Sequence, residues 1–180
     1  MDGLLPAFVA VLLAETGGAI QKIFIGRAGP DAGRSLALLA VSTLLSLGVA
    51  CAGAAIIGPM LGERPRALMA GLALLFAGVP MLLPDWRQKK APMRISRFDF
   101  AKTQFGDASQ FIVFAFGARG SMPWLALAGG FAGIMIAAVL PVLLGKDWPS
   151  GVPMVLMHKL AGWILALAGL WQALMALQLI

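Results

Sequence analysis

Residues 4–25, LLPAFVAVLLAETGGAIQKIFI, decide the class of the fold. A helix of roughly 20 apolar residues crosses the hydrocarbon core of a membrane, and this stretch reaches that length. Its middle nevertheless carries a polar cluster at residues 15–21, which begins with Glu15. A carboxylate at that depth costs roughly 2.5 to 3.5 kcal/mol on insertion scales unless a partner neutralises it. The stretch therefore predicts a membrane-spanning helix whose acidic residue has a function.

The composition of the whole chain is that of an integral membrane protein. Its 180 residues are 60% hydrophobic and 12% charged, and its mean hydropathy is +0.89; soluble domains of this size are far more polar. The net charge of +6 does not indicate nucleic-acid binding, because the basic residues cluster in loops beside apolar segments. The single cysteine, Cys51, excludes an internal disulfide.

Six segments are long enough to span the bilayer, so the sequence predicts an all-α membrane protein with six transmembrane helices. The segments are residues 4–25, 35–58, 67–84, 98–117, 122–144 and 153–178. They lack the period-two alternation of membrane strands and are too long to be such strands. No basic region precedes the first segment, which is therefore expected to be a retained helix and not a cleaved signal peptide.

The distribution of basic residues predicts the orientation of the helices. Residues 85–97 form the most polar connection and carry Arg87, Lys89, Lys90, Arg94 and Arg97. The positive-inside rule places this linker in the cytoplasm. With three spans on either side of the linker, both termini are predicted to face the outside of an inner or plasma membrane. By the same topology His158 and Lys159, at the inner start of the sixth segment, are predicted to face lipid headgroups or the cytoplasm.

The two halves of the chain are predicted to be a repeat. At an offset of 89 residues Gly17 aligns with Gly106 and Gln21 aligns with Gln110, and further matches follow in the same order. The linker therefore separates two three-helix units, residues 1–84 and residues 98–180. Because three is an odd number of spans, the second unit enters the membrane from the opposite side. This 3+3 inverted repeat is the architecture of many secondary transporters, in which the substrate binds near the midplane between the halves.

The repeat predicts one site built from the two polar clusters. Positions i, i+3 and i+6 lie near one face of a helix, and both clusters are rich in side-chain oxygens there. The expected ion-binding residues are Glu15, Thr16, Gln21, Gln104, Asp107, Ser109 and Gln110. The glycines Gly17, Gly18 and Gly106 would allow close helix approach or expose backbone carbonyls to a ligand. The alternatives are purely structural roles. In these roles the two acids are hydrogen-bonded groups in a helix interface, the glutamines join helices and the Ser109 hydroxyl bonds back to a carbonyl of its own helix.

Oxygen donors favour hard divalent cations such as calcium, magnesium or manganese, with Glu15 and Asp107 as the charged metal ligands. The clusters contain no cysteine or histidine, which argues against zinc and copper. Two carboxylates also bind protons, so a site exposed in turn to each side of the membrane would exchange a cation for protons. The partners expected are the lipid bilayer, the divalent cation and protons, with no resident cofactor.

The second cluster resembles the Glu-x-Gly-Asp-(Lys/Arg)-(Ser/Thr) signature of the Gdt-type, or transmembrane protein 165, family. Gly106, Asp107 and Ser109 match this motif, and Glu15 and Gly17 match its counterpart in the first half. The resemblance implies a three-plus-three inverted repeat with motifs in the first and fourth helices. It also implies transport of manganese or calcium in exchange for protons.

The chain departs from that family pattern at five motif positions, one of which is Ile20 in place of the hydroxyl residue of the first motif. Gln104 stands in place of the glutamate of the second motif, and Gly18 stands in place of the aspartate of the first. Alanines, Ala19 and Ala108, replace both basic motif residues. The site therefore keeps two of the four acids that the resemblance implies, which is enough charge to neutralise one divalent cation.

The sequence thus predicts a secondary transporter, a manganese or calcium/proton antiporter that exports the ion from the cytoplasm. Two alternatives stay open: a non-transporting membrane subunit descended from such a carrier, and an exporter of a small organic solute. An enzyme is not expected, since no nucleophile–base pair and no metal-hydrolase spacing occurs. A homo-oligomer stays open as well, as does a proton-relay role for His158.

Overall fold

The computed structural model describes residues 3–18, 20–21, 24, 32–83, 106–144 and 154–178. Within these ranges the regular structure is helical throughout. The six principal helices are α1 (Leu4–Glu15), α2 (Ala32–Ile57), α3 (Glu63–Leu82), α4 (Ala108–Arg119), α5 (Pro123–Leu144) and α6 (Met154–Ala176). A short 3₁₀ turn, Gly58–Met60, follows α2. Each principal helix overlaps one predicted segment, and the linker at residues 85–97 lies outside the described residues.

Four of the helices, α2, α3, α5 and α6, are long and apolar enough to cross a membrane. They confirm the prediction of an all-helical, multi-pass membrane protein. The helices α1 and α4 have only 12 residues each, about 18 Å at 1.5 Å per residue, which is less than the ~30 Å hydrocarbon core. α1 ends at Glu15 and α4 begins just after Asp107, so both polar clusters stand at helix ends and not inside continuous helices.

The surface and the interior have the polarity expected of a protein in lipid. Large apolar side chains face outward along α2 and α6, among them Leu45 and Trp163, which are 64% and 56% exposed. The interior contains many alanines and glycines together with a few buried polar side chains, which are Glu15, Gln21, Thr43, Ser46 and Ser109. Small residues allow helices to approach closely where lipid supplies no hydrophobic driving force.

The most extensive helix packing joins α3 to α6 through glycines on both helices. A Cβ atom added at Gly78 would lie 2.7 Å from the carbonyl oxygen of Gly162, and one added at Gly169 would lie 2.7 Å from that of Gly71. The backbones of α3 and α6 are therefore in direct contact at two levels. The same device joins α1 to α5, where a Cβ at Gly133 would lie 3.0 Å from the carbonyl oxygen of Phe8. This contact holds α1 in the bundle and fixes the position of its last residue, Glu15.

Candidate ion-binding site

A hydrogen bond between the two polar clusters defines the candidate site. The Ser109 hydroxyl donates to Glu15 Oε1 at 2.7 Å, across 94 residues of sequence. Both side chains are buried, with Glu15 5% exposed and Ser109 2% exposed. Glu15 is the last residue of α1 and Ser109 is in the first turn of α4, so the end of one short helix meets the start of the other. Ser109 thus bonds to the acid of the opposite cluster and not to a carbonyl of its own helix.

Asp107 supplies the second carboxyl group of the site. It caps the N-terminus of α4, where its Oδ1 accepts from the backbone N–H of Ala108 at 2.8 Å, and the positive end of the helix favours a negative charge there. The carboxyl groups of Asp107 and Glu15 are close enough for their charges to interact. Two adjacent carboxylates repel each other, so this arrangement needs protons or a cation to balance its charge.

The two polar clusters share one backbone device, a glycine capped by a glutamine four residues later. Gly17 and Gly106 have φ angles of +71° and +82°, a backbone conformation that residues other than glycine rarely adopt. The N–H of Gly17 donates to Gln21 Oε1 at 2.9 Å, and the N–H of Gly106 donates to Gln110 Oε1 at 2.7 Å. Each predicted glutamine ligand therefore holds its own turn through the oxygen that was expected to face the ion.

Gln110 also joins α4 to α2. Its Nε2 donates to the backbone oxygen of Ser46 at 3.2 Å and to the Ser46 hydroxyl. Ser46 and Thr43, one turn apart on α2, are 1% and 0% exposed. These two residues were not among the predicted site residues, although hydroxyl groups inside an otherwise apolar span were a usable signal.

Thr16 and Gly18 shape the end of α1. The Thr16 hydroxyl donates to the carbonyl of Leu12 at 2.8 Å, a bond within its own helix. The N–H of Gly18 donates to the carbonyl of Glu15 at 3.0 Å, and a Cβ at Gly18 would lie 3.1 Å from that same oxygen. Both residues therefore form the turn that follows Glu15. The remaining predicted ligand, Gln104, lies outside the described residues.

His158 contacts the site, and its predicted position facing headgroups or the cytoplasm is wrong. Its Nδ1 lies 2.7 Å from the carbonyl oxygen of Thr16. Because a carbonyl only accepts, Nδ1 carries the hydrogen of this bond. The imidazole also packs on Gly17, where an added Cβ would lie 3.0 Å from the Cβ of His158. The start of α6 thus contacts the turn after α1, whereas the neighbouring Lys159 is exposed.

Two cavities flank the paired clusters, and each reaches one of the glutamines. A cavity of about 200 Å³ adjoins Gln21 and Gly17 between α1, the end of α5 and the start of α6. A larger cavity of about 540 Å³ adjoins Gln110 between α2, α3 and α4. Both are lined mainly by apolar side chains, so the glutamines are among the few polar groups that a solute entering either cavity would meet.

The atoms of this site that could bind a cation are all oxygens. Within the described residues no group of three or more histidine, cysteine, aspartate or glutamate side chains is placed to hold a metal ion. The site therefore offers the carboxyl groups of Glu15 and Asp107, the hydroxyl of Ser109 and backbone oxygens at the two turns. Such oxygen atoms suit a hard cation that stays partly hydrated.

Part of the sequence matches a known protein family. Residues 98–179 match the family model described as divalent cation/proton antiporter GDT1. Comparison with curated proteins and with solved structures gave no significant match. The matched region contains Asp107, Ser109 and Gln110 together with α4, α5 and α6. The resemblance predicted from the motifs is confirmed over residues 98–179, where the second half of the chain is similar to the GDT1 family of divalent cation/proton antiporters.

Proposed function

We propose that the protein exchanges a divalent cation, manganese or calcium, for protons and exports the cation from the cytoplasm through Glu15 and Asp107. The observation that carries this proposal is the buried Ser109–Glu15 hydrogen bond, which brings the acids of two distant clusters together. The family of the second half supports cation/proton antiport as the reaction class, which is transport and not enzymatic catalysis. The oxygen-only donor set favours a hard cation.

Charge balance explains why such a site would exchange rather than leak. One divalent cation on two carboxylates is neutral, and two protons on the same carboxylates are neutral as well. The empty site with two ionised acids is costly in a low-dielectric interior. The loaded forms therefore cross the membrane more readily than the empty form, which couples the two fluxes. The two acids favour two protons for each divalent cation.

The pairing of helices supports the proposed inverted repeat. If α1, α2 and α3 are equivalent to α4, α5 and α6, then the pair α1–α5 is equivalent to α4–α2, and both pairs pack together. The same correspondence between the halves makes the pair α3–α4 equivalent to the pair α6–α1, and both of these pairs pack together as well. The two glycine turns capped by glutamines are also at corresponding places in the two halves. Units spanning residues 1–84 and 98–180 would therefore place Glu15 and Asp107 near the midplane.

The two cavities give the candidate site two separate openings. The Gln21 cavity lies where α5 ends and α6 begins, whereas the Gln110 cavity lies along the middle of α2 and α3. In an alternating-access carrier each cavity would widen in turn and the site would stay between them. With the linker in the cytoplasm, as its basic residues predict, the Gln21 cavity lies on the cytoplasmic side.

A non-transporting subunit is the second candidate, and one observation favours it. The positions where the family resemblance implies further acids hold Gly18 and Gln104, so the site has two carboxylates where four are implied. A protein of this kind would show no saturable divalent binding and would co-purify with a partner.

Divalent-cation binding across pH tests the proposed function. We expect purified protein to bind manganese or calcium saturably, with magnesium as the competitor, because the oxygen donors suit hard cations. Affinity should fall as the pH is lowered, because protons compete for the same two carboxylates. Isothermal titration calorimetry at several pH values measures both effects. The absence of saturable binding would instead support the non-transporting subunit, and saturable binding that is independent of pH would contradict a site built on these two carboxylates.

The His158 contact carries a prediction of its own. We expect His158→Ala to lower the exchange rate by roughly 10-fold, because the Thr16 carbonyl loses its donor and the turn after Glu15 loosens. His158→Asn should restore most of the rate, since its side-chain N–H₂ occupies nearly the place of Nδ1–H. Lys159→Ala is the matched control on the exposed side of the same turn. Equal rates in wild type and His158→Ala would show that the contact is dispensable.

A further inference from the structure

A third cavity lies far from Glu15, at the end of the bundle where α3 begins and where α4 and α6 end. Its volume is about 840 Å³. Its polar lining comes from three helices and consists of Glu63, Arg64, Arg66, Arg119 and Gln172. The rest of the wall is apolar and includes Trp171 and Met175. Neither the motifs nor the proposed exchange uses any of these residues.

The pocket is positively charged. Three guanidinium groups face one carboxylate, which leaves a net charge of +2. Arg66 is held in place because its Nε donates to the carbonyl of Leu61 at 2.8 Å, which leaves its terminal N–H groups available. In the part of the chain that the structure describes, Arg64 and Arg119 have no carboxylate within ion-pair distance. A divalent cation would be repelled here, so this pocket is not a second cation site.

Gln172 supplies an independent observation. Its Nε2 atom is buried and has no hydrogen-bond partner among the described residues. Buried donors in native proteins are nearly always satisfied, and an acceptor in this pocket would satisfy this one. The acceptor would lie beside three arginines, so a negatively charged oxygen fits best. Guanidinium groups match the oxygens of a phosphate particularly well, because their donors form a rigid fork.

The apolar part of the wall indicates what else the ligand carries. Trp171 is 60% exposed and Met175 is 51% exposed, and both lie beside the arginines on the outward face of α6. A tryptophan at the edge of a membrane helix commonly lies at headgroup level. A phosphate group with an attached apolar chain would use both parts of the wall, whereas free phosphate would use only the polar part.

We propose that this pocket binds a phosphate-bearing anion, with Arg64, Arg66 and Arg119 on the phosphate and Gln172 donating to it. An anionic lipid headgroup and free phosphate share this chemistry, and the experiment distinguishes them. The proposal is independent of cation exchange.

Thermal unfolding in a phosphate-free, non-ionic detergent such as dodecyl maltoside tests the proposal. The lipid probe is phosphatidylglycerol, and zwitterionic phosphatidylcholine is its control. The second probe is inorganic phosphate, and sodium chloride at the same ionic strength is its control. We expect phosphatidylglycerol or inorganic phosphate to raise the unfolding midpoint of the wild type by about 5 °C. Arg119→Gln should abolish this rise, whereas Lys159→Gln, which removes one positive charge from the start of α6, should keep it.

Each outcome supports or overturns the proposal. A rise with inorganic phosphate identifies the free anion as sufficient, and a rise with phosphatidylglycerol alone identifies the lipid headgroup. No rise with either probe, or an undiminished rise in both Arg119→Gln and Arg64→Gln, would overturn the proposal. Native mass spectrometry of the wild type needs no variant: preferential retention of phosphatidylglycerol over phosphatidylcholine supports the lipid form, and retention of neither lipid nor phosphate contradicts the site.

Discussion

Replacing Glu15 with glutamine should abolish divalent-driven proton flux, with a loss of roughly 100-fold or more, equivalent to about 2.7 kcal/mol of barrier. The variant keeps an oxygen that can accept from the Ser109 hydroxyl, so the hydrogen bond at 2.7 Å has a replacement partner. It loses one of the two charges that balance the cation, which leaves a net positive charge in a buried site. Flux in proteoliposomes, followed with a pH-sensitive dye, measures the loss.

Asp107→Asn should have the same effect as Glu15→Gln, because the proposed site needs both charges. An amide at this position can still accept from the N–H of Ala108 and cap α4, so the fold should persist. Glu63→Gln is the matched control, since Glu63 is exposed at the other end of the bundle and should transport as wild type. Unimpaired flux in both site variants would show that the ion does not use these carboxylates.

Gly78→Leu should prevent recovery of folded protein. A Cβ at position 78 would lie 2.6 Å from the backbone nitrogen of Ala166 and 2.7 Å from the oxygen of Gly162. Backbone atoms cannot rotate away as side chains do, so α3 and α6 would have to separate. The cost should exceed the roughly 1 to 3 kcal/mol of an ordinary overpacked core. Size-exclusion chromatography of the purified variant measures the loss as aggregation.

Gly48→Leu is the control for that experiment. Gly48 is in the middle of α2, and a Cβ there would meet no atom within 4 Å. This variant should elute and unfold as the wild type does, because leucine suits a lipid-facing helix and has a higher helix propensity than glycine. A monodisperse Gly78→Leu variant with wild-type stability would mean that α3 and α6 are not in backbone contact.

The class of the fold was predictable because apolar length and composition act locally. Each predicted segment needs only its own residues to be recognised as a helix in lipid, and four of the helices have the predicted length and polarity. The ends of α1 and α4 were harder to predict. Residues 4–25 read as one continuous span, whereas α1 stops at Glu15 because Gly17 turns the chain and Gln21 stabilises the turn.

The predicted repeat led to the expectation that Glu15 meets the cluster of Asp107, and the Ser109–Glu15 hydrogen bond joins these two clusters. The partners of the other side chains were not predictable. Gln21 and Gln110 were assigned to the ion by residue type, but their oxygens bind backbone N–H groups that appear only once the turns exist. His158 lies 142 residues from Thr16, and no local pattern links the two.

Coupled flux is the most direct test of the central claim, that Glu15 and Asp107 exchange one divalent cation for protons. Wild-type protein is reconstituted into proteoliposomes that carry an internal pH-sensitive dye, and manganese is added outside without any pH gradient. We predict that manganese entry drives protons out, so that the lumen becomes alkaline, and that Glu15→Gln vesicles show no change. Manganese entry without proton movement, or an equal response in the variant, would contradict the account.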